Sequence, residues 1–149
     1  GATLSRGDVW CGVIADGLHV HPATLAAALR AKAGPARAIA ITDAMPTVGS
    51  PEDVFLLNGR RVTRAGGRLT LEDGTLAGSD LSMIGAVRTL AGPVGLPLEE
   101  ALRMASLYPA RFLGVDADRG SLAPGLRADV VHLSDDLDVA AVWIGGRTD

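Results

Sequence analysis

Within its first 43 residues the chain runs apolar segment, polar loop, Ala/Leu-rich segment, apolar segment, and that order restricts the possible folds more than any other feature. Residues 8–15 (DVWCGVIA) are an apolar run bounded by turn residues, suited to a buried strand of an α/β sheet. Residues 16–22 (DGLHVHP) form a polar, turn-rich loop. Residues 23–33 (ATLAAALRAKA) predict a helix, with Leu25 and Leu29 four apart. Thr24 is one candidate cap, and entry through His21-Pro22 is the other. Gly34-Pro35 stops the helix, and residues 36–42 (ARAIAIT) predict a second buried strand ending at Asp43. Two strands joined through a helix must run parallel, with a right-handed crossover.

The period then changes. Residues 54–57, 60–64 and 68–71 are short runs separated by Asn58-Gly59 and Gly66-Gly67 and followed by Asp73-Gly74, which predicts an antiparallel meander inserted after the second strand. Residues 76–80 (LAGSD) predict a tight polar turn, leading into a helix over about 81–90 capped by Ser79 or Asp80. A further helix is expected over 97–107, with Pro97 near its first position and Glu99 and Glu100 favouring the helix dipole. Residues 108–114 predict a turn and one last helical turn. The β pattern returns at 129–133 and 139–144.

Composition narrows the class. A length of 149 residues is one domain's worth, and 48% hydrophobic with 21% charged residues argues against disorder. A single cysteine, Cys11, excludes an internal disulfide framework and a multi-cysteine zinc site. Net charge is −3 and the arginines are scattered, which argues against nucleic acid as a partner. No apolar run reaches membrane-span length and no signal peptide opens the chain, so the expectation is a cytoplasmic protein with no membrane partner.

Asp43 is the sharpest chemical candidate. It stands at the C-terminal end of a predicted parallel strand, where α/β folds place their sites, and a carboxylate there can act as general base or metal ligand. An ordinary loop or capping role is the alternative. His19 lies in the loop after the preceding strand, on the same rim if the strands are parallel. His21 makes a His-x-His pair with it, but in a loop followed by Pro22 rather than on a strand. Asp16 is a turn former or part of the rim. The Gly-rich run 74–79 could offer backbone N–H groups to an anion, or be a plain turn. Cys11 reads as a core residue and His132 as an ordinary strand residue.

Five segments carry a resemblance: IADGLHVHP (14–22), AITDAMPTVG (40–49), DGTLAGSDLSM (73–83), ALRMASLYPARFLG (101–114) and GSLAPGLRADVVHL (120–133). In this order they resemble the C-terminal portion of N-acetylglucosamine-6-phosphate deacetylases, members of the metal-dependent amidohydrolase superfamily. The resemblance covers residues 8–149. Its last block is shared across the superfamily, and the first three are specific when found together.

The resemblance implies an α/β fold, the C-terminal part of a (β/α)8 TIM barrel. Residues 1–118 would supply its last two strands and helices with a β-hairpin excursion. Residues 119–149 would supply returning strands of a small β-sandwich domain. It further implies that the chain is the latter part of an enzyme of roughly 350–400 residues. That enzyme would convert N-acetylglucosamine 6-phosphate to glucosamine 6-phosphate and acetate. Asp43 matches the aspartate that takes a proton from a metal-bound water and passes it to the departing amine. His19 matches the histidine that contacts the sugar phosphate. Asp16, Gly17 and Leu18 belong to the same substrate loop, and Leu76, Ala77 and Gly78 match the segment that closes on the substrate. The divalent metal, zinc or iron, is held in that family by a glutamate and two histidines on earlier strands. No matching segment exists here, so this chain by itself is expected to bind no metal and to be inactive. The implied partners are the missing N-terminal half and further copies, as homodimer or homotetramer. The alternatives are a non-catalytic assembly module or inert fragment, or an amidohydrolase acting on another N-acyl sugar.

Overall fold

The computed structural model describes residues 1–35 and 37–148. Ala36, at the start of the predicted second strand, and Asp149, at the end of the predicted second unit, lie outside the described residues. A single helical turn, α1 (Ala2–Ser5), precedes β1 (Cys11–Ile14). The helix α2 (Pro22–Ala31) leads to β2 (Ala38–Ile41), and the two strands pair in parallel with Cys11 opposite Ala38 and Ile14 opposite Ile41. The helix starts through His21-Pro22: His21 Nδ1 accepts the Ala23 N–H at 3.2 Å, and Pro22, whose missing N–H costs nothing there, takes the first position. Thr24 is therefore not the cap.

The meander forms as expected. Strands β3 (Val54–Leu57), β4 (Arg60–Ala65) and β5 (Arg68–Leu71) pair antiparallel in chain order, turning at Asn58-Gly59 and Gly66-Gly67. Helix α3 (Met83–Ala91) is capped by Ser82, whose Oγ accepts the Gly85 N–H at 3.2 Å, so neither Ser79 nor Asp80 caps it. Both are held by tertiary partners instead. The predicted 97–107 helix is α4 (Leu98–Ala105), with Pro97 as its N-cap. It is followed at once by α5 (Leu107–Leu113) in place of the expected turn. Strands β6 (Val130–Leu133) and β7 (Val139–Trp143) close the chain as an antiparallel pair.

Among the described residues, two apolar clusters hold β1 to β5 and α2 to α5. The larger packs Ala38, Ile39 and Ala40 of β2 against Leu25 of α2, Ala86, Val87 and Leu90 of α3, Ala101 and Met104 of α4, and Tyr108 of α5. The smaller cluster gathers Val62, Leu69 and Ala77, with Met45, Phe55, Leu57 and Leu71 against it. Cys11 is half-buried at the edge of the larger cluster, consistent with a core role. His132 faces solvent from β6. Among the described residues no helix is long and apolar enough to cross a membrane.

Candidate functional site

Because β1 and β2 run parallel, the loops that leave their C-terminal ends emerge on one edge of the sheet. Asp16 and His19 follow β1, and Asp43 follows β2. Asp43 adopts a left-handed backbone, φ +53°, which few residues other than Gly, Asn and Asp tolerate. Its side chain is exposed, and among the described residues its carboxylate makes no hydrogen bond or ion pair. Asp43 thus presents an exposed carboxylate, unpaired among the described residues, at the end of β2.

That left-handed backbone is held by residues 76–79. The Ser79 N–H donates to the Asp43 carbonyl at 2.8 Å, and the Met45 N–H donates to the Ser79 carbonyl at 3.0 Å, a parallel bridge beyond the end of β2. On its other side the same segment bridges β5 in antiparallel sense, with the Ala77 N–H donating to the Leu69 carbonyl at 3.0 Å. In place of the expected tight turn, this segment makes two isolated bridges, at Leu76 and Ser79, that join the meander to the end of the parallel pair. The buried Ala77 has spent its amide inside the fold. The Leu76 and Gly78 N–H groups have no hydrogen bond among the described residues, so any backbone donation to a ligand falls to them.

Asp16 joins the remaining parts. Its Oδ1 accepts the N–H groups of Leu18 at 2.9 Å and His19 at 3.0 Å, across a turn in which Gly17 takes φ +72°. Its Oδ2 lies 2.7 Å from His19 Nδ1 and accepts from Ser79 Oγ at 3.2 Å. The Asp16 side chain is 6% exposed and that of His19 is 22% exposed. His19 therefore faces outward on an Asp16 support, and Asp16 itself has little surface left for a ligand. Gly17 and Leu18 form the turn that carries His19.

Arg64, in β4, fixes the loop that follows Asp43. Its guanidinium donates to the Thr47 carbonyl at 2.8 Å, the Ser50 carbonyl at 3.0 Å and the Asp53 carboxylate at 2.8 Å, and it pairs with Asp80 at 3.3 Å. The buried Thr47 hydroxyl donates to Asp80 at 2.8 Å. Sequence reasoning missed Arg64, Thr47 and the tertiary role of Ser79, because each acts on residues distant in the chain.

Burial opposes ionisation of Asp16 and is the largest single influence on it. The His19 and Leu18 N–H groups and the His19 ring outweigh burial and hold the carboxyl below the usual carboxylate range. A group whose pKa is lower folded than unfolded contributes stability above its unfolded value and loses that contribution as pH falls through the folded value. The urea midpoint should therefore fall from about pH 5 downward, where aspartate begins to protonate. Asp16→Asn should be less stable than wild type at neutral pH, with the gap closing in acid. A gap that stays constant down to about pH 3 would contradict the assignment.

Among the described residues no group of three or more His, Cys, Asp or Glu side chains is placed to hold a metal ion. Asp43 offers one free carboxylate. His19 Nδ1 is committed to Asp16, and His21 Nδ1 to the Ala23 N–H. These residues do not fit a metal centre by themselves.

Asp43 at one strand end and the Asp16-supported His19 at the other thus share the edge of a parallel β–α–β unit where α/β folds place ligand sites. Residues 4–148 match the amidohydrolase family, and the chain belongs to it. Its members are generally metal-dependent. The chain is 46% identical over 147 residues to a protein of Escherichia coli (strain K12) provisionally named an N-acetylgalactosamine-6-phosphate deacetylase, a match covering 99% of this chain and 87% of that protein. It is also 46% identical to the N-acetylgalactosamine-6-phosphate deacetylase of Escherichia coli O157:H7, covering 99% of this chain but 38% of that protein. The crystal structure of N-acetylglucosamine-6-phosphate deacetylase from Pasteurella multocida superimposes with a TM-score of 0.94 at 32% identity, covering 100% of this chain and 38% of that one. The chain thus spans less than two-fifths of two of these proteins and most of the third.

Proposed function

We propose that this chain provides the proton-transfer group and part of the sugar-phosphate rim of an enzyme that deacetylates N-acetylglucosamine 6-phosphate, acting with residues outside these 149. The observation that carries this reading is the convergence on one sheet edge of Asp43, His19 and residues 76–79, three segments held together through Asp16 and Ser79. In this reading β1 and β2 are the last two strands of a (β/α)8 barrel, residues 1–118 belong to that barrel, and 119–149 return to a small β-sandwich. The parallel pairing of β1 with β2 and the separate β6–β7 hairpin support that division.

Asp43 removes a proton from the attacking water as its oxygen bonds to the acetamide carbon. It then delivers that proton to the nitrogen as the C–N bond breaks, releasing amine and acetate. His19 and the Leu76 and Gly78 amides hold the phosphorylated sugar, and Gly17 and Leu18 carry His19. A zinc or iron ion belongs to the reading as a group held by residues elsewhere. A charged sugar phosphate does not cross a bilayer unaided, which supports a cytoplasmic site of action. The assembly is read as a homodimer or homotetramer.

The higher identity to relatives named for the galactosamine epimer favours a second reading, in which the sugar is N-acetylgalactosamine 6-phosphate. Acetate release from both epimers, measured as kcat/KM on the protein that carries these residues, separates the two. Hydrolysis of unphosphorylated N-acetyl sugars at an equal rate would reject both.

A further inference from the structure

We infer that Asp16 is a positioning residue that fixes the His19 ring in the tautomer with its proton on Nδ1, so that an unprotonated Nε2 faces the ligand. The inference rests on the reading above that His19 meets the substrate. It follows from the donors around one carboxylate. Asp16 Oδ1 is filled by the two backbone N–H groups of Leu18 and His19, and Oδ2 receives the Ser79 hydroxyl. His19 Nδ1 lies 2.7 Å from the same Oδ2. A carboxylate surrounded in this way accepts and does not donate, so the proton in the Oδ2–Nδ1 bond must come from the ring. Two residues on, His21 shows the reverse: its Nδ1 accepts the Ala23 N–H at 3.2 Å, so its neutral ring carries the proton on Nε2. Neighbouring histidines in one loop are therefore held in opposite tautomers.

The consequence is directional. While neutral, His19 offers Nε2 as an acceptor to a sugar hydroxyl. When the ring gains a proton it gains it on Nε2, and the same atom becomes a donor to a phosphate oxygen while the bond to Asp16 is unchanged. A ring flip would break the bond to Asp16. That carboxylate also holds Ser79, whose N–H fixes the Asp43 carbonyl, so the histidine orientation and the Asp43 backbone share one chain of bonds.

The test is nitrogen NMR of ¹⁵N-histidine-labelled protein at a pH where the rings are neutral, without ligand. His19→Gln and His21→Gln identify the signals. In wild type, His19 should show a protonated-type Nδ1 and an unprotonated-type Nε2, and His21 the opposite. In Asp16→Asn the side-chain oxygen stays on the two backbone N–H groups, which turns the amide NH2 toward His19 Nδ1. His19 should then switch to Nε2–H while His21 stays as it was. Ser79→Ala removes the neighbouring bond but not the acceptor and should leave the His19 tautomer in place. A wild-type His19 protonated on Nε2 overturns the inference, whatever the variants do. So does a His19 pattern unmoved by Asp16→Asn, or one switched by Ser79→Ala. Because no ligand is present, failure to act on sugar phosphates would count against the functional reading alone.

Discussion

Asp43→Asn is expected to lower kcat for deacetylation by about 10²–10⁴-fold while leaving KM within a few-fold of wild type. The substitution is well suited to isolating the carboxylate. Asn has nearly the same shape, and with Asp it is among the few side chains other than Gly that accept a backbone at φ +53°. No hydrogen bond or ion pair to the Asp43 carboxylate exists among the described residues, so no internal partner is lost. The backbone bond from Ser79 to the Asp43 carbonyl is unaffected. What disappears is the ability to take and return a proton. The check is steady-state kinetics on the active protein that carries these residues, with circular dichroism and urea unfolding as controls. Turnover within threefold of wild type, with the fold intact, would remove Asp43 from the chemistry. Asp43→Ala should be equally inactive and also less stable, since Ala pays about 1–2 kcal/mol in the left-handed region.

A large structural effect is expected at Gly78, beside Asp43. It takes φ +75°, and a Cβ there would stand 2.4 Å from Met45 Cγ, 2.7 Å from Met45 Sδ and 3.3 Å from the Asp43 carbonyl oxygen. Gly78→Ala must therefore displace Met45 and strain the backbone together, a cost of about 2–5 kcal/mol. Met45 packs against the smaller apolar cluster and its N–H bonds to Ser79, so the displacement reaches the segment that holds Asp43. Urea unfolding of Gly78→Ala, Met45→Ala and the double variant separates the two causes. The double variant should recover the steric share and keep the backbone share. A Gly78→Ala protein within about 0.5 kcal/mol of wild type would show that the segment rearranges freely.

These two residues also mark how far the chain could be read without coordinates. The parallel pair was legible because β1, α2 and β2 follow one another as apolar run, Ala/Leu helix and apolar run, and a helical crossover permits only parallel strands. The meander was legible because Asn58-Gly59 and Gly66-Gly67 supply the positive φ values that tight turns between strands need. The junction of α4 and α5 was not. Pro109 reads as a breaker, yet it sits in the first turn of α5, where an amide has no helical partner to lose. The bridging role of 76–79 was not legible for a similar reason. Nothing local in a Gly-containing polar segment records that its backbone partners are Leu69 on one side and Asp43 on the other.

Sequence by itself determined the alternation of elements, the placement of Asp43 and His19 at strand ends, and the resemblance that names the amidohydrolase family. All three depend on residue order and short-range periodicity. Tertiary structure decided that Asp43 takes a left-handed backbone and keeps its carboxylate unpaired among the described residues, that Asp16 is buried against His19, and that Ser79, 63 positions from Asp16, links the two loops. Those outcomes depend on which donors and acceptors are left to one another once the apolar faces of β2, α2 and α3 have packed. A buried carboxylate takes whatever donors that packing brings within reach, and no periodicity in the chain records the choice.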